Sequence, residues 1–517
     1  MQRQGTQTVP PSIVHGVLGA SHRQSWAISV AGALTLLSFT AFGAREISLL
    51  ALLLAVAVVV AVARPSVVGW DRLIALILVV VLFVPTDRYR LPGSLPFNLE
   101  LYRITVALCV LVWAGSLLVD SRVQLGSTAF DRPLALIAAC FLASEITNPS
   151  RVSAYGSYVI KSLTFFLSFI LVYYLTATTV QRRGSAEMLL KLIALGGAAI
   201  GALALLEFRT RYNVFDHLHA VLPFLSFQGS LSYLTVGGYA GGQIRVFGSA
   251  QQPIALGAAL IAILPLAIYF ARRSGRRWWL AASLILLGAL ASGSRTAVVM
   301  LAAQAIVFLV LKPKETKKLW PALIPVILVV HFALPGTIGG LKAAFFPKGG
   351  LIAQQSRLEA DYNPELAGGR IRQLKPMLRE ASGKPFFGDG YGTRITGFNQ
   401  PDRNAPILDN QWLNIVLDVG FVGLGAWVWL MVSVVRRLGR ASRAPDQEDD
   451  GWLSAALAAS ITSFAVGMLT FDAFSFTQVT FIFWILLGLS AALLTISGAW
   501  PTSDAPRPIH DRVRWSS

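Results

Sequence analysis

Charge is what this sequence has little of: 14% of its 517 residues are charged, against roughly 25% in an ordinary soluble domain. With 55% hydrophobic residues and a mean hydropathy of +0.61, that shortage excludes the water-soluble globular classes. Cysteine is nearly absent. Cys109 and Cys140 both sit inside apolar runs, which argues against a disulfide framework, a cysteine metal site and a thiol nucleophile. No GxSxG, HExxH, Walker loop or paired CxxC occurs, and the histidines form no complete metal-ligand pattern, so neither metal nor cofactor is expected. There is no internal repeat at a fixed period and no pair of broken helices in matching halves, which weighs against a repeat-built transporter.

What is present is a succession of apolar blocks from residue 26 to residue 498. Each must close its own backbone hydrogen bonds in lipid, and about 20 apolar residues span a bilayer as a helix. The fold class is therefore an all-α polytopic membrane protein with about 12–14 transmembrane helices and a large external loop. Fourteen centres can be placed: Trp26–Phe42, Ile47–Ala63, Leu73–Val84, Ile104–Val119, Leu134–Ile146, Leu163–Leu175, Leu189–Leu206, Ile254–Phe270, Trp279–Ala291, Ala297–Leu311, Leu319–Leu334, Leu413–Val434, Leu453–Leu469 and Phe476–Ile496.

The net charge of +18 is distributed as membrane topology requires and does not point to nucleic acid. Arg64 with Arg72, Arg122 with Arg132, Arg182-Arg183, Arg272 to Arg277, Lys312 to Lys318 and Arg436 to Arg443 fall on every second loop, so those loops are read as cytoplasmic. The alternation puts both termini inside, and residues 1–24 lack the features of a cleaved secretory signal. The resulting division is a cytoplasmic tail at 1–24, amino-terminal helices at 25–207, an external loop at 208–253, core helices at 254–334, a large external loop with an amphipathic helix at 335–412, carboxy-terminal helices at 413–498 and a cytoplasmic tail at 499–517. In a bacterium this is a multi-pass plasma (inner) membrane protein with its site on the outer face.

Long external loops in membrane proteins tend to carry function. In the second, a helix is predicted from Asn363-Pro364 to near Ala381, with Gly383 and Pro385 as stops. Ile371, Leu374 and Leu378 share one face, and Arg372, Lys375 and Arg379 the neighbouring one. Such a helix can lie at the interface and meet anionic head groups.

Arginine is the natural ligand for phosphate-bearing groups, because its planar fork stays charged and holds two oxygens together. Two external arginines stand out. Arg245 lies in a Gly-rich approach to the eighth span, and Arg295, in Ser292-Gly293-Ser294-Arg295-Thr296, separates two apolar helices with almost no loop. A lone cation at that depth needs a partner or a function. A third group runs from Gly369-Arg370 through Pro385-Phe386-Phe387-Gly388-Asp389-Gly390-Tyr391-Gly392 to Asp409-Asn410-Gln411-Trp412-Leu413. Asp409 at the helix top can cap backbone amides or act as a base. Asp418, about two turns deeper, needs a partner, and these arginines are the candidates.

Taken together, Arg245 to Pro253, Ser292 to Ala297, Gly369-Arg370, Pro385 to Gly392, Asp409 to Leu413 and Gly420-Phe421-Val422-Gly423 resemble, in order, the landmarks of the O-antigen ligase and polymerase superfamily of bacterial envelopes. The resemblance covers roughly residues 190–440. It implies a GT-C-type, metal-independent glycosyltransferase that moves a glycan from a polyprenyl diphosphate carrier to a glycan or lipid acceptor during envelope polysaccharide biosynthesis, in company with an assembly complex. It implies that Arg245 and Arg295 engage the diphosphate and that Asp409 stands where the family has a His before an Asn, as candidate base. Arg370, Asn410, Arg372, Lys375 and Arg379 are the supporting substrate-binding candidates. The other readings open at this point are a transporter or flippase of an anionic lipid-linked substrate and a noncatalytic export-complex subunit.

Overall fold

In the computed structural model the residues described are 69–92, 99–119, 123, 125–229, 245–318, 321, 323–334, 370–396, 405, 408–444 and 448–499. The first two expected spans, the chain ends and the stretch 363–369 lie outside them.

Every expected span from the third to the fourteenth is a helix. They are α1 (Trp70–Phe83), α2 (Leu101–Val119), α3 (Asp131–Thr147), α5 (Gly156–Thr179), α6 (Arg183–Thr210), α7 (Pro253–Arg273), α8 (Arg277–Ala291), α9 (Arg295–Leu311), α11 (Leu323–Ala333), α13 (Gln411–Ala441), α14 (Glu448–Gly467) and α15 (Thr477–Ile496). Between them lie the short α4 (Pro149–Ala154) and α10 (Pro313–Lys317), and the external α12 (Arg370–Ala381). Five of the described helices are long and apolar enough to cross a membrane, and four more are shorter apolar helices. The chain is an all-α polytopic membrane protein. Among the described residues the strand content is one two-residue ladder, β1 (Tyr89–Arg90) against β2 (Ser226–Phe227), antiparallel with Tyr89 opposite Phe227.

The interior is built on α7 and α15, which are apolar all round because they are surrounded by other helices. α7 packs against α6, α8, α9, α14 and α15. Where α6 crosses α8, Gly201 and Gly288 face each other, and a Cβ on either would strike the other helix's backbone. Small residues at such a crossing let two helices approach closely where lipid gives no hydrophobic drive.

Helix direction alternates, which sorts the polar connections onto two ends. At one end Arg273 and Arg183 both bind Glu187, at 2.6 and 2.9 Å, and Arg272 stacks on Trp452 at 4.0 Å. That end carries the arginines and lysines of the six loops read above as cytoplasmic, where those loops are described. The other end, hereafter the site end, is tied by Gln478 donating to the carbonyls of Val81 and Leu82, by Arg209 donating to those of Phe332 and Ala333, and by Thr470 bonding Thr296 at 2.9 Å.

α13 is broken at Gly420, whose φ of 73° and ψ of −175° leave the helix. A non-helical residue within a bundle is tolerated only if its released backbone groups find partners inside the protein. Here they do. The amides of Asp389 and Gly390 donate to the carbonyls of Leu417 and Asp418 at 2.8 and 3.2 Å, and the Phe421 amide donates to the Pro385 carbonyl at 2.8 Å. Ser144 Oγ adds a bond to the Asp418 carbonyl at 2.6 Å. The Pro385 to Gly392 and Gly420 to Gly423 landmarks are thus the two halves of one backbone joint, and a Cβ at Gly420 would collide with the Phe386 carbonyl.

Candidate functional site

Arg245 is held at the tip of the turn that carries Arg295. Its Nε donates to the Ser292 carbonyl at 3.2 Å, and its side chain lies 3.5 Å from where a Cβ on Gly293 would stand. Gly293 itself has φ 61°, a conformation that favours glycine at the turn. Arg295 follows two residues later as the first residue of α9. Two guanidinium-bearing residues, far apart in sequence, are therefore brought to one turn between α8 and α9, both partly exposed.

The segment presenting Arg245 is latched from two sides. Arg88, only 2% exposed, donates to the carbonyls of Gly248 and Ala250 at 2.6 and 2.7 Å, pairs with Asp216 at 2.8 Å and stacks on Phe247. From the opposite side the buried Glu207 accepts the amides of Phe247 at 3.2 Å and Gly248 at 2.9 Å. Gln251 bridges Asp87 and the Thr477 amide. Fixed partners of this kind preorganise a cation before its ligand arrives.

Asp409 and Asn410 form the top of α13. The cap is Asn410, whose Oδ1 accepts the Leu413 amide at 3.1 Å, so of the two roles open to Asp409 the observed cap falls to its neighbour, one residue closer to the helix start. The helix top is stapled to the loop between α14 and α15. Gln411 N donates to the carbonyls of Met468 and Phe471, and its Oε1 accepts the Phe474 amide at 2.9 Å. This sets Asp472 beside Asp409. Burial, reinforced by the Asp409 charge, pushes the Asp472 carboxyl up to about 6, while hydrogen bonds with Ser475 and Asn414 pull the other way. The Thr470–Thr296 bond then joins this loop to the first turn after Arg295, so the loop that carries Asp472 and the helix that begins at Arg295 are tied together at the site end.

Residues 280–428 match the family model for the O-antigen ligase. That stretch is an O-antigen ligase domain by its match, and it supports the resemblance to the O-antigen ligase and polymerase superfamily. No curated protein matches it closely enough to add a relative. The matched domain supports a membrane glycosyltransferase-like role in O-antigen assembly. It contains Arg295, Arg370, Asp409, Asn410 and the α13 joint, while Arg245 and its latch lie before it and Asp472 after it.

Around the O-antigen ligase domain's joint, ion pairs fix the loop that follows α12. Asp389 is met by Arg151 at 3.5 Å, Lys384 at 3.4 Å and Arg394 at 3.4 Å. Arg394 also binds Glu380 and lies 3.8 Å from Asp418. The partner of Asp418 is thus Arg394, supplied by the loop folded against the helix break, rather than one of the arginines the sequence offered. Asn148 completes the anchor, donating to the Gly388 carbonyl at 3.0 Å and accepting from Lys384 at 2.6 Å.

Arg370, Arg372, Lys375 and Arg379 all fall on α12. Its buried side is Met377 and Ala381, packed on Leu408, Leu413, Val416 and Leu417, whereas Leu374, Lys375, Leu378 and Arg379 are exposed. The expected apolar face is therefore the one turned away from the bundle, because Met377 and Ala381 already satisfy the contact with α13. Among the described residues no group of His, Cys, Asp or Glu is arranged to hold a metal ion.

Sequence reasoning missed Arg88, Glu207, Asp472 and Arg394. The signal for the first two was a charged residue beside an apolar span.

Proposed function

We propose that the protein transfers a glycan from a polyprenyl diphosphate carrier to an acceptor hydroxyl or amine, at the outer face of the plasma membrane. The observation that carries this reading is the seating of Arg245 on the turn of Arg295, with Asp409 at the top of α13 and Asp472 on the loop stapled to that helix top. Positive charge gathered on the opposite end of the bundle supports the outward assignment.

In this mechanism the acceptor oxygen or nitrogen attacks the anomeric carbon of the donor glycan while its proton passes to Asp409. The bond between that carbon and the diphosphate oxygen breaks, and the electron pair leaves with the carrier. Arg245 and Arg295 offset the negative charge that develops on the diphosphate. Fixed cations aimed at developing charge are commonly the largest single contribution to such a step, and losing one costs roughly 10²–10³ in rate. Asp472, beside Asp409, is raised to about 6 by burial and by the Asp409 charge, so it carries a proton only below that pH. Arg370 and Asn410 are the further substrate-binding residues of this reading, and the exposed Lys375 and Arg379, with Arg372, draw the anionic carrier to α12, where Leu374 and Leu378 enter the lipid interface.

The test is transfer by purified protein in proteoliposomes supplied with carrier-linked oligosaccharide and no nucleotide or metal, with products read by mass spectrometry. Longer carrier-linked chains mark a polymerase and glycan on a second molecule a ligase. Movement of donor across the vesicle without covalent product favours transport instead.

A further inference from the structure

Beside the Arg245 latch, four exposed rings stand in a row. Tyr212 stacks on His217 with centroids 4.5 Å apart and planes 25° apart, His217 faces His219 at 6.3 Å and 28°, and His219 faces Phe227 at 5.9 Å and 27°. Tyr212 is 48% exposed and Phe227 37%. The two histidines, spaced for neither a helix face nor a metal site, take this arrangement because residues Val214–Ala220 form a 3-10 turn.

The row is rigid. Buried Tyr89 donates through its hydroxyl to the Phe215 carbonyl at 2.9 Å and accepts the Leu218 amide at 2.9 Å, while the β1–β2 ladder sets Phe227 against the Tyr89 ring at 5.3 Å. Asn213 caps the turn through the Phe215 amide and also donates to the Gly248 carbonyl at 3.1 Å, the same carbonyl that Arg88 holds. Asp216, inside the turn, is the carboxylate paired with Arg88. The aromatic row is therefore built into the mounting of Arg245.

We infer that this row is a binding platform for the sugar chain of the carrier-linked donor, beyond the residue that reacts. A pyranose has a face of C–H bonds and a rim of hydroxyls. The C–H face meets the electron-rich face of an aromatic ring, and ring nitrogens and loop carbonyls serve the rim. Rigid rings offer large contact area with little side-chain entropy to lose. Two of the four rings are imidazoles, which suits a hydroxylated ligand better than a hydrocarbon one, and the position continues from the proposed diphosphate site. The identity of the occupant rests on the glycan-transfer reading above.

The test uses the full chain in detergent and, as probe, oligosaccharides of one to several repeats released from the source's own carrier lipid. Saturation-transfer NMR should show saturable binding, weakened at least tenfold in Tyr212→Ala/His219→Ala and retained in Tyr212→Phe. In transfer assays, the rise in KM of the double variant should grow with the number of sugars on the donor. Absent binding of the free glycan, equal binding by wild type and double variant, or a KM rise independent of donor length each overturns the inference. Free-glycan binding needs no turnover, so a wild-type protein that binds the glycan but forms no product refutes the transfer reading and leaves the platform in place.

Discussion

Replacing Glu207 by Gln tests whether the latch on the Arg245 segment matters to the chemistry. Glu207 is 1% exposed, and its two oxygens each accept one backbone amide, from Phe247 and Gly248. The substitution preserves shape but turns one acceptor into a donor that must face an N–H. One hydrogen bond to a charged group, about 1.5–3 kcal/mol, is lost, and the other becomes neutral and weaker. Removing the carboxylate also takes away a charge that favours the protonated guanidinium of Arg88. The total loss is about 2–4 kcal/mol, borne by the segment from Arg245 to Ala250. If half of it appears as displacement of Arg245 in the transition state, transfer falls roughly 10-fold, since 1.36 kcal/mol is a factor of ten in rate. The assay is the proteoliposome transfer rate at saturating donor, beside thermal unfolding in the same detergent. A lowered melting temperature with wild-type turnover would refute the positioning argument, and no change in either would refute the latch.

Other expected outcomes follow from the same geometry. Arg295→Ala should reduce transfer by about 10²–10³ with normal membrane insertion, read by product formation and protease protection. Gly420→Ala must place a Cβ against the Phe386 carbonyl in a left-handed conformation, so it should lower stability by about 3 kcal/mol or more, measured as an early thermal transition. Asp472, raised to about 6 chiefly by burial, favours the folded state fully below the ordinary aspartate range, and that contribution is lost as pH rises through about 6. The melting temperature should fall between about pH 4 and pH 6, and Asp472→Asn should remove that part of the fall. Lys375→Gln/Arg379→Gln should raise KM for the lipid-linked donor several-fold, with the increase shrinking at high salt as exposed charge interactions do.

Helix positions were legible because hydropathy over a span is a local quantity. The spans around α7 and α15 could be bounded within a few residues, and the charge alternation sorted their ends. The arginine turn was legible too, since Arg295 stands between two apolar runs with no loop to excuse it. What stayed hidden was partnership across the fold. Arg88 binds Gly248 and Ala250 from 160 and 162 residues away, and no local pattern links them. Asp418 called for a cation, but Arg394 became that cation only because Gly420 breaks α13 and admits the Pro385 to Gly392 loop. The cap of α13 is Asn410, and the sequence could not separate it from Asp409 because Asp and Asn are equally good in that role. The exposed face of α12 was read from its leucines, whereas the smaller Met377 and Ala381 make the packing contact.

The central claim is that two arginines on one turn act on a carrier diphosphate while a carboxylate takes the acceptor proton. The most direct measurement is single-turnover transfer by wild type, Arg245→Ala, Arg295→Ala and Asp409→Asn in proteoliposomes with carrier-linked oligosaccharide, each verified as folded. The account predicts product from the wild type, a loss of 10²-fold or more in each arginine variant, and a loss in Asp409→Asn that deepens as pH falls and the acceptor's own ionisation is suppressed. Wild-type rates in both arginine variants, or no covalent product from the folded wild type, would contradict it.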